Sequence, residues 1–138
     1  MFNKIQKMAV SKDAVRVYTF ENIDVEKPPS LLVRYAGEGN TPYINAILAY
    51  GRKQVSKGKV LIDEAHLDKN RRQDRELYPK YVIVGWEEPM VTDEGRPATD
   101  ADIPDFIAAL PVDMMDRLRA YCSNPENYRG GTEAAVGN

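Results

Sequence analysis

The sequence predicts an α+β fold, mainly α-helical, with a small N-terminal β-hairpin or sheet packed on a compact helical bundle. Two observations lead there. Two β-prone runs precede residue 40, and apolar stripes at helical spacing dominate after it. The 138 residues suit one domain and are too few for two ordinary ones. The expected division is a β-rich part over 1–39, a helical core over 40–124 and a tail over 125–138.

Val15, Val17 and Phe20 lie in AVRVYTF, a near-alternating run rich in strand formers. Lys27-Pro28-Pro29-Ser30 interrupts it, and SLLVRYAG reads as a second strand closed by Gly37 and Gly39. A lone hairpin is barely stable in water, so this pair must pack on helices or on another chain. Asn40 or Thr41 can cap the next helix, with Pro42 in its first turn. Tyr43, Ile44, Ile47, Leu48 and Val55 mark its apolar face, and Gly51 weakens its middle. Lys57-Gly58-Lys59 ends it.

Val60, Leu61 and Ile62 fit either a short strand or the buried start of the next helix. LDKNRRQDRELYPKYVIVGW reads as a helix, charged first and apolar later. Pro79 predicts a kink or break near Leu77-Tyr78, with Tyr81–Trp86 deeply packed. Asp93-Glu94-Gly95 suits a turn within a loop or small hairpin. Thr99-Asp100 caps a helix whose Ile103, Phe106, Ile107 and Leu110 share one face. Met114, Met115, Leu118, Tyr121 and Cys122 give the following helix a second stripe, stopped by Asn124-Pro125. After Arg129 the chain is small, polar and tail-like.

Apolar residues make up 43% and charged residues 29%, an ordinary balance for a soluble domain. No apolar run reaches the ~20 residues of a membrane span. The first residues lack the apolar core of a secretory signal. A single cysteine, Cys122, allows no internal disulfide and fits a reducing compartment. The net charge of −2 gives no general drive toward nucleic acid. Its distribution is uneven: nine basic and five acidic residues over 51–80, against four and eleven over 87–138. Two solvated faces explain this, and so would pairing within or between copies.

Residues for chemistry are scarce. His66 is the one histidine, and with Cys122 it cannot complete a four-ligand zinc site. Asp63, Glu64 and Asp68 around His66 make a charged helix edge. Asp100, Asp102 and Asp105 lack the glycine and closing glutamate of a calcium loop; helix capping accounts for them. GEGN at 37–40 is neither a Walker loop nor a dinucleotide fingerprint. Arg52, Lys53, Lys57, Lys59, Arg71, Arg72 and Arg75 lack the interleaved aromatics of a nucleic-acid groove. The expectation is no catalytic residue, no cofactor and no metal.

Trp86, Tyr78 and Tyr81 are candidates for a partner anchor or for core packing. Met114 and Met115 are adjacent, so both cannot face one core, and one is free for an adaptable binding surface. The candidate contact face is therefore Tyr78, Tyr81, Trp86, Met114 and Met115.

The order of motifs carries a resemblance. Val82 to Glu87 forms an aliphatic-Gly-Trp run, Asp93 to Pro97 an acidic turn, Leu110-Pro111 a helix end, and Asn127-Tyr128-Arg129 a closing segment. Spread over Arg75–Arg129, about two-fifths of the chain, this order resembles the tail assembly chaperones of long-tailed bacteriophages. The resemblance implies a non-enzymatic protein that binds the tape measure protein and recruits tail tube subunits in the host cytoplasm. The alternative is a virion structural protein, a head or tail accessory subunit in a symmetric lattice. There the N-terminal strands would extend a neighbour's sheet, and basic middle and acidic end would meet between copies.

Overall fold

The β-branched run before residue 20 and the run after Pro29 pair as expected. Strand β1 (Val15–Thr19) lies antiparallel to β2 (Ser30–Arg34), with Arg16 opposite Val33 and Tyr18 opposite Leu31. The computed structural model describes residues 1–11, 13–56, 64–130 and 136–137, without the side chains of 51–56, 64–67 and 136–137. A short helix α1 (Asn3–Gln6) precedes β1. Helices α2 (Thr41–Ser56) and α3 (Glu64–Tyr81) follow the hairpin. Strand β3 (Ile83–Glu88) leads through a small hairpin to a 3-10 turn (Asp100–Asp102) and helix α4 (Ile103–Ala109). Helix α5 (Val112–Cys122), a 3-10 turn (Pro125–Tyr128) and strand β4 (Val136–Gly137) complete the described elements.

The expected architecture, an N-terminal hairpin resting on a helical bundle, is overturned. The sheet has the order β3-β2-β1-β4 and draws on the start, the middle and the end of the chain. Strand β3 is antiparallel to β2, and the two-residue β4 is parallel to β1. The error lay at residues 82–86, read as the apolar end of a helix. Val82, Ile83 and Val84 are β-branched, and from Ile83 burial alternates in period two, with Ile83 and Gly85 buried and Val84 exposed. Pairing with β2 supplies the backbone partners that a helix would otherwise provide. The break expected near Leu77-Tyr78 is absent. Helix α3 runs through Pro79 and ends at Tyr81, so the proline removes a donor only in the last turn.

Arg16, Tyr18, Leu31, Val33 and Trp86 occupy paired positions in the sheet. Phe20 and Tyr18 meet the rings of Phe106 on α4 and Tyr121 on α5 at 5.2 Å each. The core is fullest where these elements meet: Leu31, Val33, Ile107, Met115, Leu118, Cys122 and Tyr128 have no exposed surface. Tyr128 lies in the segment expected to be tail, and its hydroxyl donates to the Arg34 carbonyl at 3.1 Å. The fold therefore extends into 125–128.

Helix ends are closed by side chains. Asn40 caps α2 as expected: its Oδ1 accepts the Tyr43 amide, and its Nδ2 donates to the Tyr35 and Tyr81 carbonyls, both at 2.9 Å. Gly39, at φ 104°, makes the turn before it. Around Gly95, φ 86°, Thr92 and Arg96 close the hairpin expected at 93–95. Arg75 reaches from α3 to the end of α4, donating to the Ile107 and Leu110 carbonyls at 2.7 and 2.8 Å. The Ile107 carbonyl also accepts the Leu110 amide, so Arg75 adds a second donor at this helix C-terminus. Arg75→Met should lower unfolding stability by about 2 kcal/mol in urea titration. Arg75→Lys should recover only part of that loss, because an ammonium lacks the planar fork.

Candidate protein-binding surface

Each of the five candidate contact residues takes its position from the element that carries it. On α5, Met115, Leu118 and Cys122 share the inward face and are fully buried. Met114, one position earlier, is turned to a half-buried shoulder with Tyr121. On α3, Tyr78 is 1% exposed and sits edge-on to Tyr43 at 5.9 Å. Tyr81 is half-buried against the core. Trp86, on β3, is half-buried too: its indole N–H donates to the Thr99 carbonyl at 2.8 Å and its ring meets Phe106 at 4.9 Å. The five therefore do not form one accessible face. Tyr78 and Met115 belong to the core, and Trp86 and Met114 line different grooves.

The first groove lies between β1 and α5. Tyr18, Phe20, Met114 and Tyr121 wall it, with Glu21 and Arg117 at its rim. Its wall is aromatic and thioether, a chemistry that adapts to varied apolar partners. The Tyr121 hydroxyl is buried and finds no hydrogen-bond partner among the described residues. Burial pushes the Tyr121 and Tyr18 hydroxyls above the usual tyrosine range, so both stay protonated donors.

The second groove follows the free side of β3. Val25, Pro89, Met90 and Val91 form its apolar floor. It continues through Met90 and Val91 to Trp86 and Phe106. Acidic side chains edge it: Glu26 and Glu88 at one end, Asp93, Glu94 and Asp105 at the other.

The groups weighed for chemistry hold the fold. Asp100 accepts the Trp86 amide at 3.3 Å, an approach left open by Gly85, where a Cβ would lie 3.2 Å from the carboxylate. Asp102 closes a capping box with Thr99 and takes Arg96 at 2.9 Å. Hydrogen bonds from Arg96 and then from the Thr99 amide lower its pKa from 3.8 to about 2. No group of three or more metal-ligating side chains occurs among the described residues. Part of the basic middle meets the acidic end within the molecule. Arg71 grips Asp116 through two contacts of 3.2 Å, and Arg119 pairs with Asp74 at 2.7 Å. Buried Asp74 also accepts the Tyr43 hydroxyl at 2.8 Å. The side chains of His66, Arg52 and Lys53, and residues 57–63 as a whole, lie outside the described residues.

Sequence reading missed two features. Arg16 is 6% exposed yet charged; it donates to the Asn127 carbonyl at 2.9 Å and stacks 5.9 Å from the Tyr128 ring. Nothing in its neighbourhood in sequence announces a buried arginine. The second is the apolar set Phe2, Ile5 and Met8, whose spacing of three was a visible signal. No family model, curated protein or solved structure matches the chain. No helix among the described residues is long and apolar enough to cross a membrane.

Two outcomes follow from these environments. The Asp102 carboxyl is more acidic when folded, so its contribution is complete above the ordinary 3.8 and fades as pH falls toward 2. The difference in melting temperature between wild type and Asp102→Asn should therefore be constant near neutrality and shrink across that acid window. Burial pushes the Cys122 thiol up to about 12. Its labelling by a disulfide reagent at mildly alkaline pH should be absent in the native state and track unfolding in denaturant.

Proposed function

We propose that the chain is a non-enzymatic bacteriophage assembly protein, most like a tail assembly chaperone. In this reading it binds the tape measure protein and recruits tail tube subunits in the host cytoplasm. The order of motifs from Val82-Ile83-Val84-Gly85-Trp86-Glu87 to Asn127-Tyr128-Arg129 supports the class. The observation that carries a holding role is the groove beside Met114. Its half-buried Tyr18, Tyr121 and Met114 offer apolar surface. An apolar helix laid along it would bury its stripe there, and repeated weak contacts along a long client would add by avidity. The contact residues are then Met114, Tyr18 and Tyr121.

The exposed apolar side chains Phe2, Ile5 and Met8 favour a second reading, a subunit held in a virion lattice. Mass spectrometry of purified mature particles separates the two. Stoichiometric presence supports the lattice subunit, and absence supports the chaperone.

Met114→Glu places a charge in the groove without touching the buried stripe. It should reduce capture of a co-expressed tape measure protein from the same genome at least tenfold, a change of about 1.4 kcal/mol, with the circular dichroism spectrum and melting temperature preserved. Capture undiminished by Met114→Glu would remove the groove as the client site.

A further inference from the structure

The structure leaves two apolar surfaces uncovered, and they are complementary. Nine large apolar side chains are exposed among the described residues. Four of them, Met1, Phe2, Ile5 and Met8, lie on the segment around α1. Two more, Val25 and Val91, lie in the groove beside β3. Apolar exposure is thus concentrated on one arm and one groove, and no residue of α1 itself is buried.

Charge matches them further. The arm carries Lys4 and Lys7 between its apolar residues and has no acidic residue before Asp13. The groove is lined by Glu26, Glu88, Asp93, Glu94, Asp102 and Asp105, against a single cation, Lys27, among its lining residues. Of these, Glu88 is paired with Lys27 and Glu94 with Arg96, both at the surface. Such exposed pairs are weak and exchange readily.

The arm does not reach the groove of its own chain. Val10 bridges to Arg129, and the Arg129 guanidinium donates to the Met8 carbonyl. Arg129 in turn is held at its carbonyl by Arg16, near the start of β1. The groove opens where Glu88 pairs with Ser30, and Ser30 with Thr19 at the far end of β1. That is about 10 Å along the strand and about 10 Å across two strand spacings. A helical Phe2–Met8 spans only about 9 Å.

We propose that the arm docks in the β3 groove of a second copy, reciprocally, as an arm exchange across a twofold axis. Phe2, Ile5 and Met8 cover Val25, Met90 and Val91, while Lys4 and Lys7 face the acidic rim. Two equivalent contacts form at once, so two small interfaces act together. The exchange is independent of the client reading, because it uses neither Met114 nor Tyr121.

The test is sedimentation equilibrium of the full chain at moderate salt, extended to about 1 mM protein. Wild type should dimerise. Phe2→Ser with Ile5→Ser, on the exposed arm, and Val91→Glu, in the groove, should each raise the dissociation constant at least tenfold. Lys4→Glu with Lys7→Glu should weaken association, as should Asp93→Lys with Glu94→Lys. Mixing those two charge variants should restore a heterodimer, because the acidic arm then meets the basic groove and the unchanged arm meets the unchanged groove. A wild type that stays monomeric, a dimer untouched by the arm and groove variants, or a mixture that fails to associate would each overturn the exchange. Client capture by the arm variants should equal that of wild type, so loss of dimerisation and loss of client binding are read separately.

Discussion

An unbroken row of aromatic rings joins the sheet to the C-terminal helices, and most of the structure is arranged around it. Trp86 meets Phe106, Phe106 meets Phe20, Phe20 meets Tyr18, and Tyr18 meets Tyr121, all with centroids 4.9–5.2 Å apart. Tyr121 then meets Tyr128, and Tyr128 meets Tyr35. Tilted and edge-on contacts of this kind add about 0.5–1.5 kcal/mol per pair beyond the area buried. The row needs β1 beside β2, β3 beyond β2, and α4 and α5 laid across the strands. Displacing one strand by a residue would turn its rings to the other side of the sheet.

Charges close the framework that the rings define. Asp74, Arg119, Asp116 and Arg71 link α3 to α5, and Arg75 ties α3 to the end of α4. A buried carboxylate such as Asp74 is tolerable because Arg119 and the Tyr43 hydroxyl both reach it. Asp100 and Asp102 serve the backbone of β3 and the turn before α4. The acidic second half of the chain is thus partly structural, and Glu88, Asp93, Glu94 and Asp105 line the β3 groove.

Asp74, Asp100 and Asp102 find their partners within the fold, while aromatic, thioether and aliphatic surface is left beside Met114 and beyond the end of β3. The two grooves lie on different elements, one between β1 and α5 and the other beyond the end of β3. The arm carrying Phe2, Ile5 and Met8 joins the fold where Val10 bridges to Arg129 and where the Met8 carbonyl accepts the Arg129 guanidinium.

Local chemistry made much of this legible. The strands at 15–19 and 30–34, the caps at Asn40 and Thr99, the turn at Gly95 and the stripe Ile103, Phe106, Ile107 and Leu110 all follow from short-range pattern, because caps, turns and periodicity depend on neighbours in sequence. At residues 83–88 short-range pattern was ambiguous, since a brief apolar run serves a helix end or a strand equally. The partner strand β2, some fifty residues earlier, settled it. The positions of the five candidate contact residues were not legible. Adjacent Met114 and Met115 had to face apart, yet which one faced outward depended on where α5 lay against the sheet. By itself the sequence determined the mixture of strands and helices, the caps and turns between them, and the scarcity of groups for catalysis. Only the tertiary structure decided that the sheet gathers three parts of the chain, that Tyr78 and Met115 are core, and that two separate grooves remain, because burial is a property of packing between distant segments rather than of any one of them.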